Sequence, residues 1–259
     1  MKTTRIVSIL AVVSLFSLAI PTADGRPVSD PNNPHNLSYR EGYTRTHAAI
    51  PDERGAKEIC IFCHTPHSAS KQGALWNRND PVGPFPLYNS STLQIKTIEE
   101  AQYNNTTASY PNGASKLCLS CHDGVTGIGT LLDRTLSMNN EFMSNVTKTG
   151  TFDPVINLEL THPVSFVFNS EVLTKIKVEK SGMTLPTLEL RDSQERVQCT
   201  TCHDPHDDRA EVVYNTAGIP PFWRIATTTE DPYTAICNEC HPNAGVTSDK
   251  HHTIDFPRP

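Results

Sequence analysis

The chain has 259 residues, a formal net charge of −6 at pH 7 and an apolar fraction of 37%, and 20 of its residues are proline. A chain this acidic does not have the basic surface that nucleic-acid binding requires. The many prolines exclude a fold made mainly of long helices and central strands, because proline fixes φ and has no N–H to donate.

Residues 1–25 have the pattern of a secretory signal peptide. Lys2 and Arg5 give a positive start, residues 6–20 are mainly apolar, and small residues follow. We expect cleavage after residue 23 or 25 and export of a mature domain formed by residues 26–259. The apolar stretch is short for a membrane span, and no other segment is apolar enough to cross a bilayer, so the mature chain is expected to carry no span.

The first half of the mature chain predicts short elements separated by loops. The pentapeptides at residues 60–64 and 118–122 are each expected to form a short helical turn. Between them, the proline-rich residues 80–86 exclude a helix interior or a central strand. Residues 92–103 mix apolar and charged side chains and are compatible with a short helix.

The second half predicts a little β-structure and two further turns. Residues 164–168 favour a short strand through their β-branched and aromatic side chains. Residues 172–178 and 184–190 alternate in polarity and predict a hairpin around Ser181 and Gly182. Helical turns are expected at 199–203 and 237–241. The predicted fold class is mostly irregular, with short α-helices and few short strands.

All eight cysteines lie in these four pentapeptides, each of the form C-x-x-C-H. This form is the attachment signature of c-type haem. Two thiols on one turn reach the two vinyl groups of a porphyrin, and the following His binds the iron. The predicted attachment residues are Cys60, Cys63, Cys118, Cys121, Cys199, Cys202, Cys237 and Cys240, and the predicted proximal ligands are His64, His122, His203 and His241. The implied cofactors are four haem c groups, around which we expect the loops to wrap.

Three other uses of the cysteines fit the sequence less well than haem attachment. A redox dithiol does not need a His directly after the second Cys in four separate places. A zinc ribbon would pair the C-x-x-C units and leave the histidines unexplained. Structural disulfides would not place every Cys in the same pentapeptide.

Seven of the 11 histidines lie outside the pentapeptides and are candidates for the second axial position on each iron. His67 and His206 each follow a proximal His by three residues, which span at most about 10 Å of extended chain. They cannot reach the opposite face of the same haem, so we expect them to bind a neighbouring one. The alternative is that they only cap the haem-binding turn.

Several stretches resemble the multihaem c-type cytochromes of metal-reducing bacteria. They are H-N-L-S at 35–38, C-I-F-C-H-T-P-H at 60–67, L-W-N-R at 75–78, C-L-S-C-H-D-G at 118–124, T-H-P-V at 161–164 and C-T-T-C-H-D-P-H at 199–206. The pattern is similar to that of the tetrahaem OmcE-type cytochromes, relatives of the six-haem OmcS type, which polymerise into extracellular filaments.

The resemblance implies a non-enzymatic electron-transfer protein with two histidines on every haem iron. It also implies a homopolymer at the cell surface, in which one subunit supplies an axial His to the next. Donor proteins or extracellular electron acceptors would be its redox partners. An N-terminal His, either His35 or His47, is the expected crossing ligand, because termini reach neighbours most easily. Carried over by motif, the distal ligands are His35, His67, His162 and His206, with His47 in reserve.

Two other functions remain open. A monomeric tetrahaem electron shuttle in the periplasm would need all eight axial histidines within one chain. A reductase would leave one haem face open to substrate. Against the reductase, the chain has more histidines than four irons require and no C-x-x-C-K variant of the motif.

Overall fold

The computed structural model of the protein describes residues 26–43, 46–71, 73, 75–88, 95, 111–142, 156–159, 161–176, 183–186, 188–208, 222–225 and 232–242. The predicted signal peptide, the C-terminal histidines and all of the possible helix at 92–103 except Ile95 lie outside these residues. Most of the described chain is irregular, which confirms the predicted loop-rich fold class.

Regular secondary structure is short in the described part of the chain. The strands are β1 (Arg26–Pro27), β2 (Phe166–Val167), β3 (Arg196–Val197) and β4 (Asp207–Asp208). The α-helices are α1 (Gly113–His122), α2 (Ser170–Lys175), α3 (Cys199–Cys202) and α4 (Pro232–Asn238). Two 3-10 helices span Cys60–Phe62 and Leu188–Leu190. No helix in these ranges combines the length and the apolar character that crossing a bilayer requires.

The strands form two antiparallel pairs that fasten the third pentapeptide at both ends. In the first pair, β2 lies beside β3 with Phe166 opposite Val197, directly before that pentapeptide. In the second, β1 lies beside β4 with Arg26 opposite Asp208, just after it. The strand predicted at residues 164–168 is therefore confirmed, although only Phe166–Val167 is paired.

The hairpin predicted from residues 172–178 and 184–190 is wrong in the part that the structure describes. Residues 172–175 belong to α2, and residues 188–190 form a 3-10 helix. Helix α2 is capped by Asn169, whose side chain accepts a hydrogen bond from the backbone N–H of Val172 at 3.0 Å. Glu171 and Lys175 then pair along the helix at 3.3 Å. The Asn169 cap and the Glu171–Lys175 ion pair stabilise a helix here more than the alternating polarity of the side chains favours a strand.

The apolar core of the described residues is divided into four clusters. The clusters consist of Ile95, Phe166, Phe168, Val172, Ile176 and Val197; of Ala48, Ala56, Phe62, Leu131 and Leu136; of Phe85, Leu87, Leu119 and Leu158; and of Trp223 and Ile236. Cys240 packs against the first cluster, and Cys202 and Cys237 pack against the last. The small clusters therefore adjoin all four pentapeptides, the third and fourth through cysteines and the first and second through the intervening residues Phe62 and Leu119.

A buried polar network joins α1 to α3. The side-chain oxygen of Gln198 accepts hydrogen bonds from the hydroxyls of Ser115 at 2.6 Å and Ser165 at 3.0 Å. The hydroxyl oxygen of Ser115 in turn accepts from the backbone N–H of Cys199 at 2.9 Å. Gln198 is only 1% exposed, so each of these bonds replaces one that water would otherwise make. The network fixes the second and third pentapeptides against each other.

Candidate haem-binding site

Each pentapeptide forms a turn in which the backbone N–H of the His reaches the carbonyl of the first Cys. The bond is 2.8 Å long from His64 to Cys60, 3.0 Å from His203 to Cys199 and 2.8 Å from His241 to Cys237. The remaining pentapeptide is the last turn and a half of α1. All four predicted helical turns are thus present. They place two cysteines on one turn with the His directly after them, which is the arrangement that haem c attachment uses.

The second Cys of each pentapeptide is a poor nucleophile as a thiol. Burial raises the pKa of Cys63 and of Cys202 to about 12, and that of Cys240 to about 11. Burial also raises the pKa of Cys121. The first Cys of the third pentapeptide differs, because its hydrogen bond with Cys118 lowers the pKa of Cys199 to about 7. None of the eight cysteines, all of which lie in the described ranges, forms a disulfide.

The cysteine side chains place the four turns in a row that follows the order of the sequence. Cys121 of the second turn contributes to the raised pKa of Cys63 in the first. Cys118 shares a hydrogen bond with Cys199 of the third turn, and this contact raises the pKa of Cys118 well above its ordinary value. Cys240 and Cys237 of the fourth turn raise the pKa of Cys202. Each turn is therefore within electrostatic reach of the next.

Three of the four proximal histidines each lie opposite a second His. The ring centres are 6.0 Å apart for His122 and His35, 6.2 Å for His64 and His206, and 6.4 Å for His241 and His162. A metal binds an imidazole nitrogen at roughly 2 Å and the ring centre lies about 1 Å further, so one iron between two imidazoles separates their centres by about 6 Å. The three pairs fit this spacing.

In all three of these pairs the second His directs its Nδ1 atom toward an oxygen. His35 reaches the Pro205 carbonyl at 3.0 Å, His162 reaches the Pro163 carbonyl at 2.8 Å, and His206 lies 3.5 Å from an Asp204 carboxylate oxygen. A carbonyl can only accept, so Nδ1 donates and the lone pair resides on Nε2. Histidines that bind metals are oriented in this way.

Burial keeps the rings of the His35–His122 pair uncharged. It lowers the pKa of His35, and it lowers the pKa of His122 to about 4. The neutral ring is the form that binds a metal. The His35 ring also stacks on Phe222, with ring centres 4.2 Å apart, which holds its orientation.

The fourth predicted distal ligand, His67, is placed differently from the other three. It is exposed, and in the described part of the chain its ring does not oppose a proximal His. His47, the reserve ligand, is 6% exposed and lies 5.3 Å from the Tyr43 ring. His203, the remaining proximal ligand, stacks on Trp223 with ring centres 4.7 Å apart.

Two parts of the chain share one local structure that the sequence alone does not reveal. We call the described residues of 60–78 the first unit, and residues 199–208 together with 222–225 the second unit. In each unit a Trp forms an antiparallel bridge with the proximal His: Trp76 with His64, and Trp223 with His203. The residue before each Trp has a left-handed backbone, with φ of 52° at Leu75 and 74° at Phe222. Each unit also carries the P-H pair three residues after its proximal His.

The backbone hydrogen bonds of the two units also match. The residue after the proximal His donates to the residue before the Trp, from Thr65 to Leu75 at 2.8 Å and from Asp204 to Phe222 at 2.7 Å. The residue after the Trp donates to the second Cys, at 2.9 Å in the first unit and 2.8 Å in the second. The Trp follows its His at different distances along the sequence, so a search for a fixed repeat length does not find the pair.

The donors converge in a way that suits haem iron rather than a bare metal ion. Within the described ranges, no three side chains of His, Cys, Asp or Glu gather into a cage for an ion. A porphyrin supplies four of the iron's ligands, so the protein needs to supply only two. The imidazole pairs provide that number, and the cysteine turns beside them provide the thiols for attachment.

No protein-family model matches this chain, and no curated protein matches it. What the protein does has to be inferred from its cysteine turns and its imidazole pairs.

Proposed function

We propose that the protein is an exported tetrahaem c-type cytochrome that transfers electrons. The observation that carries this proposal is the set of three imidazole pairs, His64–His206, His122–His35 and His241–His162, whose ring centres lie 6.0–6.4 Å apart. Each pair joins the His of a C-x-x-C-H turn to a second His far away in the sequence. Chance packing of histidines from distant parts of the chain does not explain three such pairs with one spacing.

The chain supports the proposal by holding and spacing the four sites. The turns present the thiols, the paired imidazoles present two ligands to each of three irons, and the buried network around Gln198 fixes the second turn against the third. A bound haem would supply one-electron chemistry at its iron. Two imidazoles on one iron leave no open position for a substrate, which favours electron transfer over catalysis.

Maturation in a bacterial host that attaches haem c tests this proposal. Intact-protein mass spectrometry should show four covalently bound haems, and electron paramagnetic resonance should show low-spin iron. The paired change Cys237→Ala with Cys240→Ala should remove one haem and leave three. A chain that leaves the host without haem, or that binds zinc in its place, would refute the proposal.

We further propose that the cytochrome polymerises into an extracellular filament, and that His67 is the ligand that crosses between subunits. In the second unit, His206 opposes the proximal His of the first unit. His67 occupies the equivalent place in the first unit and is exposed. If the arrangement of His206 opposite His64 is repeated between two copies of the chain, His67 of one subunit binds the haem iron at His203 of the next. His35, which we expected as a crossing ligand, lies instead beside His122 of its own chain.

Electron microscopy of the purified holoprotein separates a filament from a periplasmic shuttle. We expect filaments from the unaltered chain and single particles from His67→Ala, with four haems attached in both. The control is His47→Ala, which removes the other candidate and should still polymerise. Single particles from the unaltered chain under all conditions would refute the filament and favour the shuttle. Loss of filaments in His47→Ala alone would transfer the crossing role to that residue.

A further inference from the structure

Arg78 is a buried charged side chain that the haem-binding turns do not require. It is 1% exposed, and each of its guanidinium nitrogens donates to a backbone carbonyl. The acceptors are Ser120 at 3.0 Å, Ile128 at 2.8 Å and Gly127 at 2.8 Å. In the described part of the chain no carboxylate lies within ion-pair distance of it. Burying an arginine among neutral carbonyls is costly, so a compensating role is expected.

The position of Arg78 is between the first and second haem sites. Ser120, which accepts its Nε–H, lies inside the second pentapeptide between Cys118 and Cys121. The preceding residue, Asn77, donates its backbone N–H to Cys63 of the first pentapeptide at 2.9 Å. One short segment therefore fastens two haem-binding turns and places a fixed positive charge between them.

The charge of Arg78 reaches both sites. Coulomb interactions of a fixed charge are strong over such short distances in a buried, low-dielectric environment. Asp123, which directly follows His122, is also buried and places a negative charge beside the second site. Backbone N–H groups of Val82, Val125 and Thr126 donate to the Asp123 carboxylate and disperse its charge.

The second unit has no such charge at the equivalent place. Counting from the bridging Trp, Arg78 corresponds to Ile225, which packs against the cluster of Trp223 and Ile236. Arg224 directly precedes Ile225 but is only partly buried. Near the fourth turn, Arg191 is paired with the Glu195 carboxylate at 3.3 Å, and Glu239 lies between the two cysteines of the turn. Among the described residues, the third and fourth turns therefore lack a fully buried arginine that no carboxylate neutralises.

We propose that Arg78 raises the reduction potentials of the haems on the first and second turns above those on the third and fourth. This inference rests on the proposed function. Ferric iron carries one more positive charge than ferrous iron, so a nearby fixed cation destabilises the ferric form and favours uptake of an electron. At equilibrium, electrons that enter the protein then reside mainly on the haems of the first and second turns.

A potentiometric titration of the holoprotein, followed by visible absorption, tests the role of Arg78. In Arg78→Ile, which copies the second unit, the high-potential half of the curve should move down. We expect at least a tenfold change in the one-electron equilibrium, which is about 59 mV, while the low-potential half stays in place. Arg78→Lys keeps the charge and should move the curve much less.

Asp123→Asn separates an electrostatic effect from a loosened structure. Removing the negative charge should move the same half of the curve up, whereas greater exposure of the haems would move both variants in one direction. If Arg78→Ile does not mature, Asp123→Asn and Arg78→Lys decide the question. An unmoved curve in Asp123→Asn, equal shifts in Arg78→Ile and Arg78→Lys, or movement of the low-potential half alone would overturn the inference. A chain without four haems refutes the proposed function instead.

Discussion

The ring of His35 is held on two sides, by the Pro205 carbonyl at Nδ1 and by the stacked ring of Phe222. Both contacts orient the ring toward His122. The carbonyl fixes the tautomer that binds iron, and the stack limits rotation of the ring. Neither contact can be read from the sequence, because Pro205 and Phe222 are distant from residue 35 along the chain.

We predict that His35→Ala changes the ligation of one haem in four. Under the proposed function, an iron bound by His122 would lose its second imidazole, so one quarter of the low-spin signal should be replaced by a high-spin one in electron paramagnetic resonance. Phe222→Leu is the matched control, since it removes the stacked ring and keeps the ligand. It should retain four low-spin haems. Full low-spin character in His35→Ala would show that this His is not the ligand.

The sequence predicts the four cysteine turns, because the C-x-x-C-H motif encodes its own local geometry; haem attachment at these turns stays a prediction. It also selected His35, His162 and His206, which the fold brings opposite proximal histidines. The motif cannot say which of the histidines pair, because the pairs depend on how distant loops pack. Trp76, Trp223 and Arg78 were missed for the same reason, since their roles are defined by contacts across the fold.

Helices α1 and α3 depend on the buried side chain of Gln198. Its oxygen accepts from Ser115 and Ser165, and its Nε2 atom donates to Asp192 at 3.0 Å and to Asn112 at 3.2 Å. The network lies next to the hydrogen bond between Cys118 and Cys199. Loss of Gln198 would therefore loosen the junction between the second and third sites.

We predict that Gln198→Leu lowers the free energy of unfolding by about 1–3 kcal/mol, because it leaves buried hydroxyl and amide groups without partners. Denaturant unfolding of the holoprotein, followed by circular dichroism, measures the change. Gln194→Leu is the control, since Gln194 is exposed in the same segment. It should change the stability by less than about 0.5 kcal/mol. Equal effects in the two variants would contradict the role given to the network.

At helix α2, the secondary structure predicted from the polarity pattern is wrong. Alternation at residues 172–178 predicts a strand, but the helix is determined by the cap at Asn169 and by the Glu171–Lys175 pair. An Asn followed by an acidic residue is a helix-start signal that the sequence does contain. The strand at Phe166–Val167 was predicted correctly, because its aromatic and β-branched residues pair with β3 under the same rules that define β-propensity.

The distribution of the core suggests that the polypeptide alone is weakly stabilised. Its described apolar residues form four small clusters beside or between the cysteine turns. Clusters of this size offset little of the conformational entropy lost on folding. Four covalently attached macrocycles would join the clusters into one apolar interior. The amino-acid sequence does not show this interior, because the haem groups are not part of it.

We predict that the chain expressed without haem attachment does not fold cooperatively. Limited proteolysis should cut it at many sites, and thermal melting should show a broad transition, whereas the holoprotein should resist proteolysis and melt sharply. A chain with all eight cysteines changed to Ala provides the same comparison in a host that attaches haem. A sharp transition in either haem-free chain, close to that of the holoprotein, would contradict this prediction.

The two matched units also bear on how such proteins could lengthen. A unit consists of a cysteine turn, a P-H pair whose His follows the proximal His by three residues, and a Trp that forms a bridge with that proximal His. Under the proposed function, each copy would bring both a new haem site and a ligand for a haem elsewhere. Duplicating such a segment would extend the row without requiring a new interface to evolve first. Loops of unequal length, as between the two Trp residues and their histidines, are then the expected trace of gene duplication followed by divergence.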